Sequence, residues 1–395
     1  MITQRQLFFE HLAQTSEFPL ALEIDFAQGI WMHSKETKYI DLISGIGVSN
    51  LGHRHPKVTA AIKNQVDKYL HLMVYGEFIQ SPQVVLAELL AKSTDFVLDS
   101  VYLVNSGTEA TEGALKLAKR YTGRSEIIAA KNGYHGSTHG ALSLSDNDFF
   151  TQAFRPLLPE IGFIEFNNVP DLERISSKTA AVMVETIQGE AGVIEPSNDY
   201  LKKLKTKCIE TGTLLILDEV QCGAGRSGKF WAYKHYDITP DILTTAKGMG
   251  GGMPIGAFLA KKEVMSCLSH NPILGHITTY GGHPVCAAAA AACVKELLES
   301  DTLSKVEKKG VLFESILLHK AIKKIRRKGL MMSVELDSFE NLQSVIQKCI
   351  EKGVVTDWFL FNNISMRIAP PLIISEAEIE FACKLILEAL NEVYG

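Results

Sequence analysis

Short apolar runs rich in Val, Ile and Leu recur along the chain and alternate with stretches whose apolar positions follow helical spacing. Because successive positions in these runs are apolar, both faces of each predicted strand are expected to be buried. The runs are VYLV at 101–104, EIIAA at 126–130, AAVMVE at 180–185, LLILDE at 214–219, DILTT at 241–245 and IGAFLA at 255–260. Such strands, separated by crossovers, predict a parallel or mixed sheet with helices on both sides.

The pattern changes near residue 300, where charged amphipathic stretches alternate with shorter apolar runs. Residues 306–329 follow helical spacing, and the runs LMMSVEL and ISMRIAPPLII predict short strands. The basic run Lys320–Lys328 has no interleaved aromatic residues and lies in an acidic chain, so it predicts a solvated helix end rather than a nucleic-acid site. We expect a second α/β layer here, joined by the N-terminal segment.

Composition narrows the classes of partner. The chain has 395 residues, 46% of them hydrophobic, and 40 basic against 45 acidic residues give a net charge of −5. This balance provides no electrostatic footprint for nucleic acid or an anionic membrane, so small-molecule partners are favoured. The cysteines are scattered without a C-x-x-C pair, which indicates neither a disulfide framework nor a zinc site, and no metal is predicted.

The chain start carries charges where a signal peptide needs an unbroken apolar core, and no run of about eighteen apolar residues follows. The alanine tract at 287–292 is too short to span a bilayer and predicts a close-packed helix. We therefore expect a cytoplasmic protein without membrane contact, in a compartment that keeps its cysteines reduced.

The segment GAGRSGKF at 223–230 resembles a nucleotide-triphosphate loop, since Gly223 is followed after four residues by Gly228 and Lys229. Such a loop needs a Ser or Thr beside the lysine as a magnesium ligand, and Phe230 stands there. A phenyl ring cannot bind magnesium. ATPase activity is therefore disfavoured, and Lys229 is expected to be an ordinary loop lysine.

A strand, a turn of small residues and a helix start follow one another in VYLVNSGTEATEGALKLAKRYTG. Ser106 and Glu109 have the spacing of a capping box, and Gly123 is placed to end the helix. Unsatisfied backbone N–H groups at a helix start attract anions. Ser106, Gly107 and Thr108 are therefore candidates for a phosphate site, with an ordinary α/β turn as the alternative.

Charged residues follow two further predicted strands. In LLILDEVQ the predicted strand ends in Asp218 and Glu219, at the end of the sheet where open α/β folds place their ligands. A carboxylate buried there needs a cationic partner or solvent. Lys247 ends another strand before a glycine cluster, and a lysine in that place either binds phosphate or carboxylate groups or forms a Schiff base.

Motifs in one order over nearly the full length resemble the class III pyridoxal-phosphate (PLP)-dependent aminotransferases, in the subgroup of acetylornithine, ornithine and 4-aminobutyrate transaminases. The motifs are GIGVSNLGHRHPKV, NSGTEATEGALKLAKRYTGR, NGYHGST, VETIQGEAGV, LILDEVQCGAGRSGKFWAYKHYDITPDILTTAKGMGGGMPIGAF, TTYGGHP and SMRIAPPLII. The resemblance implies an α/β protein with the PLP-dependent transferase fold of type I. A large domain holds a mostly parallel seven-stranded sheet flanked by helices, and both termini form a smaller α/β domain. We place the N-terminal part of the small domain at 1–55, the large PLP-binding domain at 56–295 and the C-terminal small domain at 296–395.

The resemblance also implies roles for single residues. Lys247 resembles the catalytic lysine that forms a Schiff base with PLP and moves the proton, and Asp218 the carboxylate that keeps the pyridine nitrogen protonated. The other implied cofactor contacts are the phosphate-binding Ser106, Gly107 and Thr108, the ring-packing Tyr134 and Val220, Gln221 at the ring hydroxyl, and Thr279, which reaches the phosphate of the neighbouring subunit. The active sites would then be shared within a homodimer.

Substrate recognition follows from three further positions. Glu190 and Arg367 resemble a switch pair in which the arginine binds the carboxylate of glutamate or 2-oxoglutarate and the glutamate masks it otherwise. A permanent salt bridge is the alternative. Ser137 stands where the subgroup usually has a carboxylate-binding arginine. A serine at this position resembles the amine and ω-amino-acid transaminases instead. Arg155 and His139 are candidates to compensate for the missing arginine.

We therefore expect an aminotransferase that works by a ping-pong mechanism between an amino donor and an oxo acid, with glutamate and 2-oxoglutarate as one pair. The donor is expected to be acetylornithine, ornithine, an ω-amino acid or an amine. A PLP-dependent aminomutase, which needs no second oxo acid, and a catalytically silent PLP-fold binding protein are the alternatives. Glu185 is a candidate for a further buried carboxylate of the site, without an assigned role.

Overall fold

Strands and helices alternate along the chain, as the hydrophobic pattern predicts. The computed structural model describes residues 2–35, 37–197 and 199–395. The strands are β1 Phe26–Gln28, β2 Trp31–His33, β3 Lys38–Asp41, β4 Ser100–Val104, β5 Glu126–Ala130, β6 Ile161–Ile164, β7 Thr179–Glu185, β8 Leu214–Asp218, β9 Ile242–Thr245, β10 Gly256–Ala260, β11 Lys324–Lys328, β12 Met331–Glu335, β13 Val354–Val355, β14 Asp357–Phe359 and β15 Asn362–Ile368. The helical segments are α1 Gln4–His11, α2 Ser44–Gly47, α3 Pro56–Val66, α4 Ser81–Ser93, α5 Gly107–Thr122, α6 His139–Leu142, α7 Asp148–Thr151, α8 Tyr200–Thr211, α9 Lys262–Met265, α10 Pro284–Glu299, α11 Thr302–Ile316, α12 Phe339–Glu351 and α13 Glu376–Tyr394.

A seven-stranded sheet with the order β4-β10-β9-β8-β7-β5-β6 lies at the centre. β10 runs antiparallel to β4 and β9, and the other neighbouring strands pair in parallel. All six apolar runs named in the sequence analysis are strands of this sheet, which confirms the predicted fold. The seventh, β6, was not predicted, because its short run IGFI contains Gly162 and shows no long apolar stretch.

Helices cover this sheet, and this explains why its strands are apolar at successive positions. Every residue of β7, β9 and β10 is buried. α5 packs against β7, β9 and β10, while α10 packs against α3 and α4. The alanine tract 287–292 lies inside α10 and is largely buried, which confirms the predicted close-packed helix. Within the described residues, no helix is long and apolar enough to cross a membrane.

Two smaller sheets, β1-β2-β3-β13 and β11-β12-β15-β14, complete the fold. In the first of them, β13 from the C-terminal part of the chain pairs in parallel with β3 from the N-terminal part. This pairing brings both ends of the chain into one sheet, as the small-domain hypothesis requires. The domain bounds themselves stay a prediction.

The basic run Lys320–Lys328 is not a helix end, so that prediction was wrong. α11 ends at Ile316, and Lys324–Lys328 form β11, which pairs antiparallel with β12. The charges lie beside carboxylates, since Arg327 contacts Glu307 at 2.8 Å. The strand forms because β12 supplies hydrogen-bond partners for its backbone, and local spacing carries no sign of that distant pairing.

Candidate active site

A cavity of about 500 Å³ opens at the carboxyl edge of the central sheet. β7 and β8 deliver Glu185 and Asp218 to it from neighbouring strands, in paired register. Nine of the predicted site residues line this cavity, namely Ser106, Gly107, Thr108, Tyr134, Ser137, Asp218, Val220, Gln221 and Lys247. The position at the carboxyl ends of parallel strands is where α/β folds commonly bind ligands.

The start of α5 offers backbone donors to the cavity. Ser106 Oγ accepts a hydrogen bond from the Glu109 N–H at 3.3 Å, which confirms the predicted cap. The second bond of a capping box is missing, because the Glu109 carboxylate accepts from the Asn105 N–H at 2.8 Å instead. The N–H groups of Gly107 and Thr108 donate to no group in the described part of the chain. Open donors at a helix start fit an anion.

Glycine is required at 107 by the packing of this turn. A Cβ atom there would lie 2.8 Å from Cγ1 of Val220. Thr108 keeps its hydroxyl 2.9 Å from that of Thr138, which in turn donates to Glu112 at 2.5 Å. Because Thr138 gives its proton to the carboxylate, Thr108 donates to Thr138. The backbone N–H of Thr108, rather than its hydroxyl, is therefore open to an anion.

Asp218 has a partner that sequence reasoning missed. The Nδ1 atom of His135 lies 2.7 Å from Oδ2 of Asp218, and the Val220 N–H donates to Oδ1 at 2.9 Å. Burial opposes a charge on His135, but the hydrogen bond to Asp218 and its negative charge outweigh burial and raise the pKa of His135. The one available signal was the histidine beside the aromatic residue in NGYHGST.

Glu219 points away from the cavity, as expected for adjacent residues at the end of a strand. Its carboxylate accepts from the N–H groups of Ala232 and Tyr233 at 2.7 and 2.6 Å and from the Thr186 hydroxyl at 2.9 Å. Burial raises the pKa of Glu219 to about 7. It therefore holds the loop that follows Trp231, while Asp218 serves the cavity.

Lys247 is the second residue after the end of β9, and it lines the cavity. Its φ of 41° lies in the left-handed region, which is uncommon for a residue other than glycine. The ammonium group has no hydrogen-bond or ion-pair partner among the residues that the structure describes. Removal from bulk water lowers the pKa of Lys247, so the neutral amine forms more readily than on an ordinary lysine.

Glu185 lines the cavity beside Asp218. One oxygen accepts from the Gly189 N–H at 3.0 Å and the other from the Tyr134 N–H at 3.2 Å. Burial is the main cause that raises the pKa of Glu185 to about 7, with a smaller opposite contribution from His135. Glu185 is therefore a further buried carboxyl group of the site, as predicted.

Glu190 and Arg367 form a buried pair behind Gln221, and neither lines the cavity. The guanidinium donates to the two Glu190 oxygens at 2.8 and 2.9 Å and, through Nε, to Asp357 at 2.9 Å. Burial opposes the charge on Glu190, but Arg367 outweighs it and lowers the pKa of Glu190 to about 2. The Gln221 amide donates to Glu190 at 3.1 Å and Gln221 also lines the cavity, so this side chain connects the pair to the cavity.

Several other predicted residues lie away from the cavity. Arg155 is exposed and contacts Asp148 at 2.7 Å, and His139 is exposed at the start of α6, so neither takes the place of a guanidinium beside Ser137. Thr279 is exposed and does not line the cavity of its own chain. Lys229 is exposed and donates to the Lys234 carbonyl at 2.7 Å, as expected for a loop lysine.

The loop 223–230 contains a buried cation that sequence reasoning also missed. Arg226 donates to the carbonyl groups of Leu330 and Pro370 and to the side chain of Asn50. Burial lowers the pKa of Arg226 to about 9. The loop therefore ties distant parts of the chain together instead of binding a nucleotide phosphate.

The model of the family described as aminotransferase class-III matches residues 13–390. The chain is a class III aminotransferase. It is 39% identical over 386 residues to an acetylornithine aminotransferase of Methanopyrus kandleri, covering 96% of this chain and 97% of that one. It is 38% identical over 373 residues to a [LysW]-aminoadipate semialdehyde/glutamate semialdehyde transaminase of Sulfolobus acidocaldarius, covering 93% and 94%. The solved ornithine aminotransferase of Toxoplasma gondii superposes with a TM-score of 0.91 at 29% identity, covering 99% of this chain and 95% of that one.

The cofactor of class III aminotransferases is PLP, and the residues of the cavity fit it. The open N–H groups of Gly107 and Thr108 suit a phosphate. The Asp218 carboxylate suits a cationic ring nitrogen, and the unpaired amine of Lys247 suits an aldehyde. Anion site, carboxylate and amine thus lie around one cavity of this aminotransferase.

Proposed function

We propose that this aminotransferase exchanges amino groups between the glutamate/2-oxoglutarate pair and a second donor by a ping-pong mechanism. The observation that carries the proposal is the two-pronged contact between Glu190 and Arg367, at 2.8 and 2.9 Å. A substrate carboxylate offers the same two oxygens, so it can replace Glu190 without leaving the guanidinium unpaired. Asp357 stays on Nε and partly neutralises the cation in both cases.

Lys247 and Asp218 carry the chemistry in this proposal. Bound PLP supplies a ring that withdraws electrons from the substrate carbon. Lys247 would hold the cofactor and move the proton at the substrate carbon, and its lowered pKa favours the neutral amine that both tasks need. Asp218 holds positive charge on the ring nitrogen, and His135 orients its carboxylate.

The remaining proposed cofactor contacts come from residues that line the cavity. Ser106, Gly107 and Thr108 bind the phosphate, chiefly through backbone N–H groups. Tyr134 and Val220 line the cavity, and their side chains would hold the ring from its two faces. Gln221 bonds the ring hydroxyl. In the structure its amide contacts Glu190, so this side chain is placed to link the ring to the Arg367 site.

We propose that the second donor is an amine without a carboxylate at its far end. Among the described residues that line the cavity, Lys247 is the only lysine or arginine. Ser137 provides no guanidinium, and Arg155 is paired elsewhere. A donor without a carboxylate at its far end therefore suits this wall better than acetylornithine, ornithine or an ω-amino acid, whose carboxylate has no partner there.

We further propose a homodimer in which Thr279 reaches the phosphate site of the partner subunit. Thr279 is exposed on its own chain, so its hydroxyl is free to contact another one. Apolar side chains around it are also exposed, with Ile273 at 78% and Tyr280 at 57% of their surface. Exposed apolar clusters of this kind commonly mark an interface.

The test of the proposed function is a donor panel assayed with and without 2-oxoglutarate. The panel holds amines, ω-amino acids, 4-aminobutyrate, ornithine and acetylornithine, and glutamate formation is measured. We expect amines without a carboxylate to react fastest, and only when 2-oxoglutarate is present. Turnover without a second oxo acid would support an aminomutase instead, and fastest turnover of acetylornithine would refute the proposed donor class.

A further inference from the structure

Glu185 contacts two loops of the site at once. Its Oε1 atom accepts from the Gly189 N–H at 3.0 Å, and its Oε2 atom accepts from the Tyr134 N–H at 3.2 Å. Gly189 directly precedes Glu190, and Tyr134 directly precedes His135. Each carboxylate oxygen therefore holds one loop by its backbone, next to a side chain that acts in the site.

We propose that Glu185 is a positioning residue that fixes the Tyr134 ring and the Glu190 carboxylate relative to each other. The inference rests on the functions proposed above for Tyr134 as a ring wall and for Glu190 as the group that masks Arg367. Glu185 is the last residue of β7, so both loops are held at the same point of the central sheet.

Only a side chain with two acceptor atoms satisfies this arrangement. A glutamine at 185 would offer one oxygen, and its amide NH₂ group would face the second backbone N–H. A buried N–H group left without an acceptor is unfavourable, so the loop that carries it would move. The raised pKa of Glu185 fits the same geometry, because no Lys or Arg is hydrogen-bonded to this carboxyl among the residues described.

Glu219 provides a matched control one strand away. It is also a buried carboxyl at a strand end, its pKa is also raised to about 7, and it also accepts from two backbone N–H groups. Those groups belong to Ala232 and Tyr233, which do not line the cavity. Replacing either glutamate by glutamine therefore disturbs two backbone N–H contacts, but only those of Glu185 belong to loops of the site. The third partner of Glu219, the Thr186 hydroxyl, does not line the cavity.

The experiment compares Glu185→Gln, Glu219→Gln and wild type as full-length proteins. It measures the Kd for PLP by titration of the cofactor-free protein, the KM for 2-oxoglutarate and for an amine donor, and the Tm. We expect both variants to lower the Tm by similar amounts. Glu185→Gln alone should raise the Kd for PLP about tenfold, the effect of roughly one lost hydrogen bond, and change the ratio of the two KM values.

A Glu185→Gln protein with the wild-type Kd for PLP and the wild-type KM ratio would overturn the inference, as would equal shifts in Glu219→Gln. If Glu185→Gln does not fold, Glu185→Asp replaces it, since the shorter carboxylate cannot reach both N–H groups and the same shifts are expected. A wild-type enzyme that does not accept 2-oxoglutarate would refute the proposed substrate pair. The Kd for PLP alone would then decide the inference.

Discussion

The imidazole of His135 lies 2.7 Å from the carboxylate of Asp218, and both side chains are withdrawn from solvent. The contact connects the loop after β5 to the end of β8 across the floor of the cavity. Asp218 therefore has a protein partner of its own, in addition to the cationic ring nitrogen that PLP is proposed to bring. A buried carboxylate without either partner would be unfavourable by several kcal/mol.

His135→Ala should destabilise the cofactor-free enzyme by about 3 kcal/mol, because it leaves the Asp218 carboxylate buried without its hydrogen-bond partner. Binding of PLP should restore part of this loss, since the ring nitrogen then pairs with the carboxylate. Denaturant unfolding with and without PLP measures both values. The control is His53→Ala, which removes the partner of Asp41 in a His–Asp contact of 2.8 Å outside the cavity. PLP should not change the loss of stability in His53→Ala. If PLP also leaves the loss in His135→Ala unchanged, the proposed role of His135 is contradicted.

Glu190→Gln should uncover the charge of Arg367, because an amide does not neutralise the guanidinium. The KM for 2-oxoglutarate is expected to fall, and the KM for an amine donor to rise, with their ratio changing by about tenfold. Steady-state kinetics with both substrates measure the two values. An unchanged ratio would indicate that Glu190 and Arg367 form a permanent salt bridge.

The stability of the enzyme should depend on pH through Glu219. Burial raises its pKa from 4.5 to about 7, so its protonated form stabilises the fold at low pH and this contribution is lost as the pH rises through 7. Glu219→Gln carries no such charge. The free energy of unfolding of the variant, relative to wild type, should therefore increase between pH 5 and pH 8. A difference that stays constant over this range would show that Glu219 does not titrate there.

A mixture of two impaired variants should recover activity if Thr279 completes the site of the partner. Lys247→Ala lacks the catalytic amine, and Thr279→Asp places a negative charge near the neighbouring phosphate. Each hybrid dimer would contain one intact site out of two, and about half of the dimers in an equal mixture are hybrids. Mixing after dissociation should therefore restore about a quarter of the wild-type activity. Mixtures of each variant with itself are the control. No recovery, although hybrids form, would refute the shared site.

The central sheet could be predicted because its strands are buried on both faces, which leaves continuous apolar runs in the sequence. Each predicted run agrees with its strand to within one residue at either end. β6 and β11 could not be predicted in this way. The first is too short, and the second is a basic strand whose only structural signal is its pairing with β12.

Some residues of the site could be predicted from their local sequence, and others could not. Asp218 and Lys247 stand out locally, because a charge after a buried apolar run needs an explanation. His135 lies 83 positions before Asp218, and Arg226 contacts groups up to 176 positions away. Nothing in their neighbourhood in the sequence indicates these partners, since the contacts exist only after the strands and loops have packed.

The most direct test of the central claim is a single turnover of the PLP-loaded enzyme with glutamate as the only substrate. We predict release of about one equivalent of 2-oxoglutarate per active site, since the first half of a ping-pong transamination needs no second substrate. Arg367→Ala should release it far more slowly at the same glutamate concentration. A wild-type enzyme that releases no 2-oxoglutarate from glutamate would contradict the proposed substrate pair and the function of Arg367.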